Sequence, residues 1–235
     1  MLKRVTITGA DDGTDVNWMV ALSKAYPFVE WGILCSASQE GSSRFPSRAW
    51  INRLLNAPGA GELQLSTHLC GRWVRELLIG TLRWKEVPVV AQWSHRLQIN
   101  THGQIHQMAR QMISKMHGTR QYIVQWDGVN DHLAYTLKSF GINTAILYDK
   151  SGGAGVLPER WPSQNPSFFC GYAGGLGPDN VVENIRKIKG MGPDAFWIDM
   201  ERRVRTEDDS RLDEKKVEFV LEQCKYLVSR RAVAV

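Results

Sequence analysis

Acidic and imidazole side chains stand at the ends of several short apolar runs in this sequence. Asp149 closes the run "NTAILYD", and His68 closes "LQLSTH". Asp11 follows the first run, "RVTIT", in the polar turn "GADDGTD". Carboxyl and imidazole groups suit general acid–base catalysis, in which one group gives a proton and another takes one. We therefore take Asp149, Asp11 and His68 as candidate catalytic residues.

Each candidate also has a structural interpretation. An aspartate such as Asp149 often stabilises a turn, and "GADDGTD" is typical of a polar turn in which Asp15 caps the next helix. A histidine at a strand end is often a hydrogen-bonded core or surface residue. Asn100, which ends the run "RLQIN", is a candidate for substrate binding at the same kind of position.

A glycine-rich turn lies in residues 170–188, "CGYAGGLGPDNVVENIRKI". An apolar run ends at Cys170, and apolar residues recur at helical spacing from Val181, so Gly174 and Gly175 fall in a strand-to-helix turn. Glycines there let backbone N–H groups approach an anion at the positively polarised start of a helix. The alternative is that they only supply the backbone angles of a tight turn.

Short β-rich runs alternate with amphipathic stretches along the chain. The runs are Val5–Thr8, Glu30–Cys35, Leu63–His68, Arg96–Asn100, Tyr122–Trp126, Thr144–Asp149, Ser167–Gly171 and Phe196–Met200. The amphipathic stretches are Val16–Ala25, Arg48–Leu55, Arg72–Ile79, Ile105–Met116, Asn130–Phe140, Val181–Ile188 and Asp213–Val228. After the sixth run the proline-containing segment "GVLPERWPSQNP" stands where a helix is expected, and "GTLRWKEVPVVAQWSH" before the fourth run predicts an extra helical turn.

Strands separated by helices pair in parallel through right-handed crossovers. Eight such units predict an α/β fold, a (β/α)8 TIM barrel, with residues 1–235 as a single domain. In such barrels the active site lies at the carboxyl ends of the strands, and the loops after strands seven and eight often bind phosphate. The turn at Gly174 and Gly175 follows strand seven. We therefore expect it to bind the phosphate of a small metabolite.

The composition and the charge pattern limit which binding partners and which cellular compartment we expect. The net charge is +5, but basic residues alternate with acidic ones and form no basic surface interleaved with aromatics, so we expect no nucleic-acid partner. The 4 cysteines form no CxxC pair, and no His, Asp or Glu trio has metal-ligand spacing, so we expect no metal site. No stretch approaches the ~18 apolar residues of a membrane span. We expect a cytoplasmic protein without a signal peptide or membrane partner.

Three stretches resemble phosphoribosylanthranilate isomerase, a barrel enzyme of tryptophan synthesis. "YAGGLGPDNVVENI" is similar to that family's "LAGGLxPxNVxxAI", "LYDKSGGAGV" to "LLD…GGTG", and "FWIDMERRVR…LDEKKVEFV" to "VDVSSGVE…KDxxKIxxF". Weaker similarities occur at "SSRF", "LQIN" and "TITG", against the family's "SxR", "QLHG" and "KICG". The resemblance covers most of the C-terminal half well and the N-terminal half only in register.

The resemblance implies an Amadori rearrangement in which an acid protonates the sugar-ring oxygen and a base removes a proton from the neighbouring carbon. Asp149 falls on the family's general acid, but Thr8 falls on its catalytic cysteine, and a threonine hydroxyl is too weak an acid to act as a ready base. We expect Asp11, Asp12 or His68 to replace that base, and authentic isomerase activity to be very low or absent.

Arg44 and the segment Glu201-Arg202-Arg203 concern substrate binding. Arg44 matches a family arginine that contacts the substrate's aromatic carboxylate, although "GSSRFPS" is also typical of a mobile loop. The family's phosphate-binding "SSG" is replaced by Glu201-Arg202-Arg203. Arg202 or Arg203 could hold a phosphate through two hydrogen bonds, whereas Glu201 would repel one at close range.

Three functions follow from these observations. The leading hypothesis is an isomerase-like barrel, a monomer or homodimer without a cofactor, that acts on a small phosphorylated, carboxylate-bearing sugar derivative; whether it is an active enzyme is left open. The alternative is a catalytically inactive barrel that binds a phosphorylated metabolite or a protein partner. A lyase that forms a Schiff base on Lys150 is a third, but Lys150 has the opposite strand parity to Asp149 and is predicted to point away from the barrel mouth.

Overall fold

The computed structural model describes residues 1–101, 112–116, 119–150, 154–192 and 194–228. The strands are β1 (Leu2–Thr8), β2 (Val29–Ser36), β3 (Leu65–Cys70), β4 (Arg96–Ile99), β5 (Gln121–Trp126), β6 (Thr144–Tyr148), β7 (Phe169–Ala173) and β8 (Phe196–Met200). They pair in parallel in sequence order, and β8 pairs with β1 to close the barrel. The predicted (β/α)8 barrel is confirmed.

Helices alternate with the strands around the outside of the barrel. In the part of the chain that the structure describes, the α-helices with assigned bounds are α1 (Val16–Ala25), α2 (Arg48–Asn56), α3 (Arg72–Leu78), α4 (Val90–Trp93), α5 (Asp131–Ser139), α6 (Val181–Gly190) and α7 (Glu214–Cys224). The predicted helix Ile105–Met116 lies mostly outside the described residues. The short α4 is the extra helical turn predicted before the fourth strand.

Two strands begin later than their sequence patterns predict. Strand β3 starts at Leu65 because residues 60–62 form a 3₁₀ turn, closed by the hydrogen bond from Leu63 N to Ala60 O at 3.1 Å. Strand β7 starts at Phe169 because Phe168 N donates to Asn165 O at 3.1 Å and holds a turn. The shift in β7 carries the strand directly into the glycine turn.

No helix occurs among the described residues between β6 and β7. Trp161 anchors this segment on the barrel, because its ring packs edge-on against Tyr172 and its Nε1 donates to Asn184 Oδ1 at 2.9 Å. An aromatic side chain therefore covers part of the surface that a helix would cover. The sequence correctly predicted that this segment replaces the helix.

One half of the barrel interior is apolar. Ile123, Ala145, Leu147 and Trp197 form a buried cluster that is separate from the main core between the helices and the strands. The indole of Trp197 fits because residue 171 on the neighbouring strand is glycine, and a Cβ at that position would overlap the ring. This cluster closes the barrel below the carboxyl ends of β5 to β8.

The other half of the interior contains buried charges. The Glu30 carboxylate on β2 accepts hydrogen bonds from Arg96 Nη1 at 2.8 Å, Arg4 Nη1 at 3.0 Å and Thr6 Oγ1 at 2.8 Å. Burial alone would raise the pKa of Glu30, but the two guanidinium groups hold it below its usual value. The Arg96 guanidinium also lies 4.1 Å from the Trp197 ring centroid, so it joins the polar and apolar halves.

We predict that Gly171→Ala lowers the free energy of unfolding by about 1–3 kcal/mol, because the added methyl group must displace the buried Trp197 ring. Gly190→Ala is the matched control, since a Cβ there meets no atom within 4 Å and alanine favours helix. Urea denaturation of both variants measures the difference. Equal stability of Gly171→Ala and the wild type would show that the interior repacks around the indole without cost.

Candidate functional site

A cavity of about 230 Å³ opens at the carboxyl ends of the strands. The loops after β6, β7 and β8 form its rim, and side chains from β1 and β3 to β6 form its floor and walls. Its lining includes Thr8, His68, Cys70, Gln98, Asn100, Gln125, Leu147, Asp149, Gly155, Ala173, Gly174, Gly175, Leu176, Asp199, Met200, Glu201, Arg202 and Arg203. Of the eight candidate site residues from the sequence, six line this cavity, and Asp11 and Arg44 do not.

Asp199, Thr8 and His68 form a buried polar cluster at the floor of the cavity. Thr8 Oγ1 donates to Asp199 Oδ1 at 2.8 Å, and His68 Nε2 lies 4.0 Å from Asp199 Oδ2. Burial raises the pKa of Asp199 well above its usual value, against the Thr8 hydrogen bond. Burial also lowers the pKa of His68 to about 4, so its imidazole is neutral near pH 7.

A glycine on β2 gives this cluster its space. A Cβ at Gly32 would overlap Thr8 Oγ1 and would lie 2.9 Å from His68 Cε1. Thr8 and His68 stand on the strands either side of β2. Their side chains therefore approach each other across the bare backbone of Gly32.

Two glutamines organise the wall made by β4 and β5. Gln125 Nε2 donates to Asp149 Oδ2 at 2.8 Å. Gln98 Nε2 donates to Asn100 Oδ1 at 2.8 Å, and Asn100 Nδ2 lies 3.2 Å from Cys70 Sγ. The candidates Asp149 and Asn100 are thus held in place by hydrogen bonds from neighbouring side chains.

Three buried polar atoms of these walls have no hydrogen-bond partner among the described residues: Gln98 Oε1, Gln125 Oε1 and His68 Nε2. The residues are 4%, 3% and 2% exposed. Burying a polar atom without a partner is costly, so such atoms usually meet water or a ligand. Their position in the lining of this cavity makes it the candidate binding site.

The glycine turn lies against the chain's own backbone. Gly174 and Gly175 have φ angles of +112° and +62°, and a Cβ at Gly175 would lie 2.5 Å from Leu157 N. The glycines therefore allow the loop after β6 to pack on the turn, as well as supplying the turn angles. Both residues line the cavity.

The amide groups of the turn differ in their partners. Gly177 N donates to Asn180 Oδ1 at 3.0 Å, and Asn180 Nδ2 donates to Gly175 O at 2.9 Å. The amides of Gly174, Gly175 and Leu176 donate to no described residue. The donors available to an anion are thus residues 174–176, at the start of the turn.

Two arginines after β8 approach the same turn. Arg203 Nη1 donates to Gly175 O at 3.3 Å, and its Nη2 pairs with Asp179 at 2.7 Å. Arg202 Nη1 donates to Ala154 O at 3.4 Å. Both side chains line the cavity. Arg202 gives its rim a positive charge next to the glycine amides, whereas the charge of Arg203 is paired with Asp179.

Arg44 is engaged by carboxylates. Its Nη1 pairs with Glu201 Oε1 at 2.6 Å, and its Nε lies 3.5 Å from Asp209 Oδ2. The pKa of Glu201 is raised by burial, and the Arg44 guanidinium opposes that shift. The positive charge expected to bind a substrate carboxylate is therefore paired within the protein.

Asp11 belongs to a buried ion pair outside the cavity. Its Oδ2 accepts from Arg205 Nη2 at 2.8 Å, and Arg205 also contacts Gly9 O, Ser43 Oγ and Asp209. Arg205 is fully buried. It ties together the loops that follow β1, β2 and β8, so Asp11 helps to hold the rim of the barrel.

Gln98 and the hydrogen bond between Thr8 and Asp199 were the parts of the site that the sequence did not predict. Residue alternation was a usable signal for Gln98, since it shares one face of β4 with Asn100, which follows the strand. The partner of Asp199 is Thr8 on β1, at the other end of the sequence.

The described residues offer neither a metal cluster nor a membrane span. No group of three or more His, Cys, Asp or Glu side chains among them could hold a metal ion. None of their helices combines the length and the apolar character needed to cross a bilayer.

Several solved structures share this architecture. Phosphoribosyl anthranilate isomerase from Thermotoga maritima has a TM-score of 0.55 and 14% identity, over 96% of this chain and 100% of that chain. N-(5'-phosphoribosyl)anthranilate isomerase from Pyrococcus furiosus has a TM-score of 0.53 and 12% identity, over 95% and 98%. KGPDC from Streptococcus mutans has a TM-score of 0.52 and 11% identity, over 97% and 100%.

What these proteins share with the chain is the fold. This chain is a TIM barrel. No protein-family model and no curated protein matches it in sequence. Identities of 11% to 14% carry no residue roles, so the function has to be argued from the barrel's own cavity.

The buried His68 predicts a specific pH dependence of stability. Its folded-state pKa of about 4 lies below the 6.5 of an exposed imidazole, so the unfolded chain binds the extra proton between these values. The contribution of His68 to stability is then fully present above pH 6.5 and is lost as pH drops towards 4, by about 3 kcal/mol. Glu30, Arg96 and Asp199 are the charged or titratable groups that act on it.

We expect His68→Gln to remove this slope, because glutamine carries no titrating proton. Urea denaturation at intervals from pH 7 to pH 4 measures it, with the exposed His132→Gln as control. An unchanged slope in His68→Gln would mean that His68 is already protonated in the folded barrel.

Proposed function

We propose that this barrel binds a small phosphorylated sugar derivative and isomerises it by proton transfer. The observation that carries the proposal is the convergence of carboxyl groups, a neutral imidazole and unpartnered polar atoms on one cavity whose rim is a glycine turn flanked by arginines. A reaction that protonates one atom and deprotonates another needs two such groups around one substrate.

The glycine-turn end suits a phosphate. The amides of residues 174–176 are donors at the start of the segment leading into α6, and Arg202 and Arg203 add charge beside them. The two isomerases among the fold relatives are named for phosphoribosyl compounds. These names support phosphorylated pentoses as the first compounds to test.

Asp149 is the proposed general acid, as the resemblance to phosphoribosylanthranilate isomerase implies. For the base, Asp11 is paired with Arg205, and Asp12 Oδ1 accepts from Ser47 N at 2.7 Å outside the cavity. His68 lines the cavity but has a pKa of about 4 and is a weak base. Asp199 lines the cavity, and burial raises its pKa, so its ionised form is a stronger base than an ordinary carboxylate, and we assign the abstraction to it.

The alternative is a barrel that binds the same class of ligand without turnover. Thr8 in place of the family's cysteine and the engagement of Arg44 by Glu201 favour it. Both functions use the same phosphate end, so binding alone does not separate them. Exchange of a carbon-bound proton does.

If phosphate binds beside the glycine turn, removing a nearby positive charge should weaken its binding. Arg202→Gln and Arg203→Gln should each weaken the binding of inorganic phosphate about tenfold, because a charge-assisted hydrogen bond is lost. Isothermal titration calorimetry measures this, with the exposed Arg211→Gln as the matched control. Glycine variants are unsuitable here, since a Cβ at Gly175 displaces Leu157. Phosphate affinities equal to the wild type in both variants would place the anion elsewhere.

The proposed chemistry predicts loss of turnover in Asp149→Asn. The variant keeps the size of the side chain and removes its transferable proton, which should slow turnover by about 10²–10⁴-fold while ligand affinity is largely retained. The assay is proton NMR in D₂O with D-ribose 5-phosphate and other phosphorylated pentoses, following deuterium incorporation at carbon.

Two outcomes distinguish the functions. Deuterium incorporation by the wild type that survives in Asp149→Asn would exclude Asp149 as the acid. Tight binding of the phosphorylated pentoses with no incorporation in the wild type would favour the binding barrel over the isomerase.

A further inference from the structure

Gln98 and Gln125 line the cavity, and their side-chain carbonyl oxygens form a pair of buried acceptors. They lie on the adjacent parallel strands β4 and β5, and both residues are more than nine-tenths buried. Each carbonyl oxygen has no hydrogen-bond partner among the described residues. A buried amide oxygen in this state needs a donor from whatever fills the cavity.

Hydrogen bonds occupy the NH₂ end of each amide. Gln125 directs its NH₂ to Asp149 Oδ2 at 2.8 Å, which leaves its carbonyl oxygen without a partner among the described residues. Asn100 turns its own NH₂ to Cys70 Sγ and its oxygen to Gln98 Nε2. Gln98 therefore also presents its oxygen, and the pair is a pair of acceptors.

The described residues that line the cavity carry their positive charges away from this pair. They are Arg202 and Arg203, at the glycine-turn end. Arg44 is paired with Glu201 and lies outside the lining. A ligand carboxylate beside the glutamines would meet two carbonyl oxygens and Asp149, and no described lining residue beside it is a cation that would offset the cost of its burial.

We propose that the ligand presents two hydroxyl groups to Gln98 and Gln125 and carries no carboxylate, so that the site recognises a phosphorylated polyol or sugar. The position of the phosphate rests on the proposed function, whereas the hydroxyl requirement rests on the glutamines. Hydroxyls satisfy two neutral acceptors without burying a charge. A cavity of about 230 Å³ restricts the ligand to a small metabolite.

Calorimetry with four probes tests the proposal on the full chain: ribitol 5-phosphate, 2-phosphoglycolate, phosphoethanolamine and inorganic phosphate, with ribitol as the unphosphorylated reference. In the wild type we expect ribitol 5-phosphate to bind at least about tenfold more tightly than the other three, since two added hydrogen bonds are satisfied. In Gln98→Met that advantage should fall about tenfold, while the affinity for inorganic phosphate is unchanged. Gln92→Met, at an exposed position, is the matched control.

The outcomes separate this inference from the proposed function. If 2-phosphoglycolate or phosphoethanolamine binds as tightly as ribitol 5-phosphate, or if Gln98→Met affects all probes equally, the hydroxyl requirement is overturned while the phosphate site stands. Binding of ribitol that depends on Gln98, without binding of inorganic phosphate, would support the hydroxyl requirement and contradict the phosphate site. Failure of every probe overturns both. If Gln98→Met does not fold, the wild-type series alone decides.

Discussion

Closure of the parallel barrel is the constraint on which the site depends. Thr8 and Asp199 are 191 positions apart in sequence and share a hydrogen bond of 2.8 Å, because β1 pairs directly with β8. In a closed parallel sheet every strand ends at the same rim, so the end of one strand faces the ends of all others. His68 and Asp149 reach the same cavity for that reason. Without the β1–β8 pairing their side chains would have no common space.

The interior below the cavity determines its electrostatics. Glu30 is ionised inside the barrel because the guanidinium groups of Arg96 and Arg4 bind its carboxylate. The Arg96 guanidinium also lies over the indole of Trp197 in the apolar half of the interior. This layer separates the cavity from the opposite end of the barrel. The cavity groups above it are therefore poorly solvated, which raises the pKa of Asp199 and lowers that of His68. Burial causes both shifts, because it raises the pKa of the Asp199 carboxyl and lowers the pKa of the His68 imidazole.

Much of the fold follows from the sequence, because strand and helix periods are local properties. All eight strands were predicted, and the errors at β3 and β7 arose from turns whose hydrogen bonds the period does not reveal. Only part of the site could be predicted from the sequence. Their positions at the ends of predicted strands placed Asp149 and Asn100 at the rim, but the partners of Arg44 and Asp11 are on distant loops. Such long-range ion pairs leave no pattern in a single sequence.

Thr8, which falls on the catalytic cysteine of the isomerase family that the sequence resembles, affects more than one step of the proposed isomerisation. A thiol at that position would itself titrate, whereas a threonine hydroxyl stays protonated and acts as a donor to Asp199. Proton exchange on this side of the ligand then falls to Asp199, whose pKa is raised by its burial. Because a base must be ionised to act, the rate should rise as pH increases through that raised pKa. Burial within the barrel, and not the reactivity of a thiolate, would then set the pH range in which the barrel works.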